Sequence, residues 1–209
     1  MIIILFGAPG VGKGTLAQRL QEAGIGRQVS TGDLFRREIA IGSEIGIEAK
    51  TAVEAGKWAS DELALKLVLR ELHGNVILDG YPRTVKQVED LDKLLSEKNQ
   101  KVDLVINVIA DEDVVVDRIV NRNVCSNCHA IYNVKYAPTK IEGKCDKCGG
   151  KVEHRSDDNE EVIRSRFEQH NTKTRPLLER YKTLSKVIDI DSSHVNAVEK
   201  IKSALTAAQ

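Results

Sequence analysis

The stretch from Gly7 to Thr15 constrains the fold of this chain more than any other part of its sequence. It follows directly on the apolar run 2–6, which predicts a short buried strand, and it precedes residues whose spacing predicts a helix. A glycine-rich loop between a strand and a helix brings backbone N–H groups up to an anion, and Lys13 adds a positive charge. The alternative, an ordinary tight connection, explains neither Lys13 nor the order of the elements. The stretch therefore predicts a phosphate-binding loop.

One position departs from the general pattern of such loops. Ser or Thr usually follows the lysine directly, whereas here Gly14 stands in that place and the hydroxyl comes one residue later, at Thr15. The order Lys-Gly-Thr, in place of Lys followed directly by Ser or Thr, is found in only some of the proteins that have a phosphate-binding loop.

Strands and helices are predicted to alternate along most of the chain. Apolar or extended runs predict strands, and the segments between them have helical spacing; the runs are 2–6, 27–29, 76–79, 102–109 and 187–190. The helix that follows Asp79 is predicted to begin at Pro82 and Arg83. This alternation predicts an α/β fold, a P-loop NTPase-like parallel sheet with helices on both faces.

Composition excludes several classes of protein. The 209 residues are 41% hydrophobic and 30% charged, as in a globular protein, and 31 basic residues balance 31 acidic ones. A net charge of zero gives no sign of a nucleic-acid or membrane partner. No apolar run approaches the roughly 18 residues that span a bilayer, and the N-terminus lacks the basic region of a signal peptide. We expect a cytoplasmic protein.

The four cysteines form two Cys-x-x-Cys pairs, Cys125 with Cys128 and Cys145 with Cys148, separated by sixteen residues. This spacing is typical of a zinc site, and four thiolates leave no open position, so we expect a structural Zn²⁺. Iron could also occupy four thiolates. Four buried free thiols or two disulfides are the alternatives, and His129 could replace a ligand, although a loop histidine is expected.

Further charged residues suit phosphate chemistry. Asp79 ends a predicted core strand, where a carboxylate can hold the water shell of Mg²⁺, although it could instead cap a helix. Several arginines fall at ends of elements or near the cysteines, and each alone could be a solvated surface charge. Together they suit the transfer of a phosphoryl group between two nucleotides; they are Arg36, Arg83, Arg118, Arg122, Arg155 and Arg166.

Over nearly its whole length the chain resembles the adenylate kinase family, in the bacterial form with a zinc-bearing lid. The segments that carry the resemblance include the phosphate-binding loop and the cysteines; they are 7–15, 30–36, 56–61, 79–87, 117–122, the four cysteines, 131–132, 155–158 and Arg166. The resemblance implies three parts: a core P-loop domain, a small helical monophosphate-binding insert and a zinc-binding lid. Their expected bounds are 1–29, 60–121 and 159–209 for the core, 30–59 for the insert and 122–158 for the lid.

The resemblance also implies the reaction, in which Mg-ATP and AMP are converted reversibly to two ADP. The implied ATP-binding residues are Gly10, Val11, Gly12, Lys13, Gly14, Thr15, Arg122, Ile131, Tyr132 and His194. The implied AMP-binding residues are Thr31, Arg36, Lys57, Trp58, Ala59, Gly80, Tyr81, Pro82, Arg83, Gln87, Arg155 and Arg166. The implied catalytic residues are Lys13, Arg83, Arg118, Arg155 and Arg166, together with Asp79.

Two positions depart from the family. Leu34-Phe35 stands where a Met-Leu pair is usual, and Trp58-Ala59 stands where two aliphatic residues are usual. Because Trp58 lies in the loop that meets the acceptor, a kinase for another nucleoside monophosphate is an alternative. A zinc-ribbon protein that binds nucleic acid is a third hypothesis, which the zero net charge and 4% aromatic content oppose. We expect a monomer.

Overall fold

The central sheet of the protein, in a computed structural model, consists of five parallel strands. The structure describes residues 1–154, 158, 160–191 and 196–207, and at residues 112, 113, 160 and 161 it describes the backbone alone. The strands are β1 (Ile2–Phe6), β2 (Arg27–Ser30), β3 (Val76–Asp79), β4 (Leu104–Ile109), β5 (Arg122–Cys125), β6 (Ile131–Asn133), β7 (Val152–His154) and β8 (Val187–Asp191). The central sheet has the order β2-β3-β1-β4-β8.

Helices connect the strands. They are α1 (Lys13–Glu22), α2 (Thr31–Ala40), α3 (Glu44–Glu54), α4 (Asp61–Glu71), α5 (Val85–Glu97), α6 (Glu112–Val120), α7 (Glu160–Gln169), α8 (Leu177–Leu184) and α9 (Ala197–Thr206). A π-helical turn, His170–Thr174, lies between α7 and α8, and Pro176 directly precedes α8. Proline has no N–H to continue the hydrogen-bond pattern of the preceding turn, so α8 begins after it.

Both faces of the central sheet are buried. Along β1, Ile2, Ile4 and Phe6 point into an apolar cluster with α4, α5 and α8, whereas Ile3 and Leu5 point into a second cluster with α1 and α9. This alternation follows from the two-residue period of a strand. The predicted α/β fold, a parallel sheet with helices on both faces, is confirmed.

Two elements begin later than the sequence predicts. Helix α5 begins at Val85, because the Thr84 hydroxyl accepts a hydrogen bond from the Gln87 N–H (3.1 Å) and so fixes the helix start; Pro82 and Arg83 lie in the preceding turn. Strand β4 begins at Leu104, two residues later than predicted, and the side chain of Asp103 accepts from the N–H of Ile2 (2.6 Å).

Two segments lie outside the central sheet. Helices α2 and α3 lie between β2 and α4, and strands β5, β6 and β7 form a separate antiparallel sheet of order β6-β5-β7. The expected bounds 30–59 and 122–158 for two inserts stay a prediction. Within the described ranges, every helix is too short or too polar to cross a bilayer.

Candidate active site

A cleft of about 1180 Å³ opens at the carboxyl ends of the central strands. Its walls come from the loop before α1, the N-terminal part of α2, the turn after β3, the π-helical turn and the separate antiparallel sheet. Ligands of open parallel sheets bind at this edge, because the strand ends and the following helix N-termini converge there.

The phosphate-binding loop has a backbone that only glycine tolerates. At Gly10, φ is +76°, and a Cβ atom would lie 2.3 Å from Cγ1 of Ile119. Both the left-handed conformation and the close contact exclude a side chain at this position. The loop therefore packs tightly against α6 and leads directly into the N-terminus of α1, where unpaired N–H groups favour an anion.

Lys13 reaches back across this loop. Its Nζ donates to the carbonyl oxygens of Gly7 (2.7 Å) and Ala8 (2.8 Å). Burial lowers the pKa of Lys13 to about 8, against the opposing attraction of Asp79. Burial likewise raises the pKa of Asp79, and the Lys13 charge opposes that rise. An anion in the cleft would stabilise the charged form of Lys13.

A second group of polar residues lies on the β2 and β3 side of the cleft. Thr31 Oγ1 donates to the Gly80 carbonyl (2.8 Å), and Arg83 Nε donates to the same oxygen (2.7 Å). The side-chain oxygen of Gln87 accepts from the Arg83 N–H (2.7 Å), and Arg36 forms an ion pair with Asp33. Burial lowers the pKa of Arg83 to about 10, and the Arg166 and Arg36 charges contribute.

The antiparallel sheet covers the phosphate-binding loop. Ile131 Cδ1 lies 2.8 Å from the position that a Cβ on Gly14 would take. Gln18 Nε2, on α1, donates to the His129 carbonyl (3.3 Å). Lys147 Nζ pairs with Glu22 at the end of α1 (2.6 Å). These contacts place the sheet directly over α1.

Most of the predicted nucleotide-binding residues line this one cleft. Those that do so are Gly10, Gly12, Lys13, Gly14, Thr15, Thr31, Arg36, Lys57, Trp58, Ala59, Asp79, Gly80, Pro82, Arg83, Gln87, Arg118, Arg122, Ile131, Tyr132 and Arg166. Val11 and Tyr81 do not: they are 2% and 1% exposed, and the Tyr81 hydroxyl donates to the Gln87 carbonyl (3.3 Å). The predicted residues Arg155 and His194 lie outside the described residues. The role of each residue stays a prediction.

Sequence reasoning missed three residues at the cleft. Gln28 Nε2 donates to the Asp79 carboxylate (3.1 Å) from the neighbouring strand β2. His170, which lines the cleft from the π-helical turn, has its pKa lowered to about 4 by burial and by nearby cations. Thr174 Oγ1 donates to the Arg83 carbonyl (3.2 Å). Parallel pairing of neighbouring strands could have indicated Gln28, and Pro176 could have indicated an irregular turn before it.

The four cysteines converge beside the antiparallel sheet, and Cys128 and Cys148 also line the cleft. All four Sγ atoms lie within 4.8 Å of one another, with 3.5 Å between Cys125 and Cys148 and also between Cys128 and Cys145. Tetrahedral zinc–sulfur bonds of about 2.3 Å require sulfur atoms about 3.8 Å apart, so this donor set fits a four-thiolate metal. The distances exclude the two disulfides, whose S–S bond is about 2.05 Å. Cys128 and Cys148 are exposed, which excludes four buried thiols.

The surroundings of the sulfur atoms also suit a metal. A Cβ on Gly150 would lie 3.2 Å from Cys125 Sγ and 3.3 Å from Cys148 Sγ, so glycine leaves room for the sulfurs. The Lys147 N–H points at Cys145 Sγ (3.4 Å), and the Tyr132 hydroxyl lies 3.3 Å from the same atom. Such donors stabilise thiolates around a bound cation.

Comparison with known proteins identifies the family. The sequence model of adenylate kinase matches residues 5–186. Adenylate kinase of Archaeoglobus fulgidus is 42% identical over 97% of this chain and 100% of its own length. Adenylate kinase of Thermodesulfovibrio yellowstonii is 45% identical over 87% of this chain and 86% of its own. That of Bacillus licheniformis is 38% identical over 95% and 94%. The chain therefore belongs to the adenylate kinase family.

Proposed function

We propose that this protein transfers the terminal phosphoryl group of Mg-ATP to AMP, reversibly, to give two ADP. The observation that carries the proposal is one cleft with a phosphate-binding loop on one side and a second cationic group, Arg36 and Arg83, on the other. Two phosphate-bearing ligands would meet between them, at Lys13. Family membership supports the same reaction.

On the donor side, the backbone N–H groups from Gly10 to Thr15 would hold the ATP phosphates. Lys13 would exchange the carbonyl oxygens of Gly7 and Ala8 for phosphate oxygens, which raise its pKa and keep it charged. Arg122 and the Ile131-Tyr132 pair would close over the nucleotide from the antiparallel sheet, and Arg118 would add charge near the transferring group.

On the acceptor side, Arg36 and Arg83 would bind the AMP phosphate. Arg83 is already oriented, because three of its polar groups, Nε, the N–H and the carbonyl, are hydrogen-bonded. Phosphoryl transfer needs no protein nucleophile, so positioning and stabilisation of charge provide the catalysis. We propose that segments 30–59 and 122–158 close on the ligands and expel water, which would otherwise accept the phosphoryl group.

Two metals accompany the proposal. Mg²⁺ bound with ATP neutralises charge on the phosphates, and Asp79, with Gln28 as its hydrogen-bond partner, would hold its water shell. Zn²⁺ bound by Cys125, Cys128, Cys145 and Cys148 would be structural, since four thiolates fill its coordination sphere. It would hold together an antiparallel sheet with a small apolar core.

A monomer in the cytoplasm that binds neither nucleic acid nor membrane stays a prediction. The expected lack of nucleic-acid and membrane partners rests on equal numbers of basic and acidic residues. The proposed binding partners are the substrates ATP, AMP and ADP, which would bind in the cleft.

The proposal is tested with Lys13→Ala and Arg83→Ala. Each variant is expected to lose a factor of about 10²–10³ or more in kcat with Mg-ATP and AMP, because each removes a cation from the transferring group. Lys182→Ala removes the same charge from the exposed face of α8 and should keep the wild-type rate. Circular dichroism checks that all three remain folded. Near-normal rates in both Lys13→Ala and Arg83→Ala would contradict the proposal.

A further inference from the structure

The single tryptophan of the chain, Trp58, lies near two cations at the acceptor side of the cleft. Cζ of Arg83 is 5.3 Å from the centroid of the indole, and Nζ of Lys173 is 5.7 Å from it. Both distances are within the range of a cation–π interaction, and tryptophan has the most favourable ring for it. Trp58, which departs from the family pattern, thus contacts Arg83, a residue of the proposed reaction.

The loop that bears Trp58 is fixed from the opposite wall. The side-chain amide of Gln169, at the end of α7, accepts a hydrogen bond from the backbone N–H of Trp58 (3.3 Å) and donates one to the Gly56 carbonyl (3.1 Å). Lys173 follows in the π-helical turn, four residues after Gln169. One short segment therefore holds the backbone of the loop and also contributes a cation to its indole.

The Arg83 guanidinium lies in a buried place that disfavours its charge when no phosphate is present. Burial disfavours its charged form most, the Asp79 carboxylate favours that form, and the charges of Arg166 and Arg36 disfavour it. The hydrogen bond from Nε to the Gly80 carbonyl holds one edge of the guanidinium, and the indole contact is a second restraint on the same group. The indole face of Trp58 supplies a negative electrostatic surface that favours the buried guanidinium without adding a net charge.

We infer that Trp58 is a positioning residue that holds the Arg83 guanidinium, with Lys173 on the same ring, at the acceptor subsite before the acceptor phosphate arrives. The inference rests on the proposed function and extends it: Trp58 acts through Arg83 on the phosphate and does not select the base. A guanidinium that is held in advance loses less conformational entropy when the phosphate binds.

The test measures kcat, and KM for each substrate, in Trp58→Leu, Trp58→Phe and Lys173→Met. Trp58→Leu is expected to raise KM for AMP about fivefold, the value of one partly exposed cation–π contact, and to leave KM for ATP unchanged. Trp58→Phe keeps an aromatic face and should recover most of the affinity. Lys173→Met keeps the Arg83 contact and should change KM for AMP less than twofold. Lys182→Met is the matched control for loss of a surface charge.

Binding of AMP measured by calorimetry, without ATP, separates positioning from a general loss of structure. Wild-type AMP affinity in Trp58→Leu, equal losses in Trp58→Leu and Trp58→Phe, or a parallel rise of KM for ATP would each overturn the inference. If the wild type accepts a different nucleoside monophosphate, the same comparison applies to that one, since Arg83 contacts the phosphate. A wild type that binds no monophosphate at all would overturn the proposed function together with the inference.

Discussion

The guanidinium of Arg122 forms a two-pronged salt bridge with the carboxylate of Asp158, with Nε 2.7 Å from Oδ2 and a terminal nitrogen 2.5 Å from Oδ1. The Asp158 side chain is fully buried, and Arg166 lies 3.8 Å from it. Residues at the two ends of the segment with the antiparallel sheet are thereby tied together. The same carboxylate also lies beside two arginines that are predicted to bind phosphate.

Arg122→Gln is expected to destabilise the nucleotide-free protein by about 3 kcal/mol, because it leaves a buried carboxylate without its main partner. This corresponds to a fall in Tm of roughly 6–12 °C. Arg180→Gln breaks a more exposed pair with Glu89 and should cost less than about 1 kcal/mol. Thermal unfolding of both variants without nucleotide makes the comparison. Equal falls in Tm would show that the buried ion pair stabilises the protein no more than the exposed one, which would contradict this prediction.

The partly buried imidazole of His170 should affect how the stability of the protein depends on pH. Its pKa is lowered to about 4 by burial and by the charges of Lys13, Arg175 and Arg83. In the unfolded chain this histidine has its ordinary pKa of about 6.5, so as the pH falls the unfolded state is protonated before the folded state. The free energy of unfolding therefore falls as the pH drops from about 7 to about 4. After allowance for partial exposure, this group should contribute about 1 kcal/mol of that loss between pH 7.5 and 5.

His170→Gln should therefore lose less stability than the wild type between these two pH values, as measured by urea unfolding. His73→Gln replaces an exposed histidine and is the control for the loss of an imidazole as such. A His170→Gln profile parallel to that of the wild type would contradict the assignment of a lowered pKa.

Glycine substitutions in two turns should differ because of their surroundings. Gly10→Ala and Gly24→Ala both place a side chain at positive φ (+76° and +73°), which costs about 1–2 kcal/mol. At Gly24 nothing lies within 4 Å of the added Cβ, whereas at Gly10 the atom meets Ile119 at 2.3 Å. We expect a further loss of about 1–3 kcal/mol in Gly10→Ala. Chemical denaturation checks this, and equal losses would contradict the packing described for the loop.

Tyr132 should support the proposed zinc site. Its hydroxyl is 3.3 Å from Cys145 Sγ and accepts a hydrogen bond from the Asp146 N–H (2.8 Å). Tyr132→Phe is expected to lower the affinity of the protein for zinc about tenfold, as for other residues that contact a metal ligand. Competition with a chelator measures this affinity. Tyr136→Phe changes a largely exposed tyrosine of the same segment and should retain the wild-type affinity. Substoichiometric zinc in wild-type protein purified without chelator would contradict the site itself.

Local signals explain what the sequence predicted well. The loop from Gly7 to Thr15 and the two Cys-x-x-Cys pairs are contiguous patterns, and the strands are short apolar runs whose alternation determines a parallel sheet. Contacts between distant elements could not be predicted in this way. Arg122 meets Asp158, and Trp58 meets Lys173, only because several helices pack in one arrangement. Helix α5 begins at Val85 because a side-chain cap outweighs the preference for proline in a first turn.

A turnover panel with Mg-ATP and, separately, AMP, CMP, UMP, GMP and no acceptor tests the central proposal most directly. We expect rapid ADP formation with Mg-ATP and AMP, and little with CMP, UMP, GMP or no acceptor. Preference for another monophosphate would contradict AMP as the acceptor while leaving phosphoryl transfer in place. Hydrolysis of ATP without an acceptor, and without any response to AMP, would contradict the proposed function.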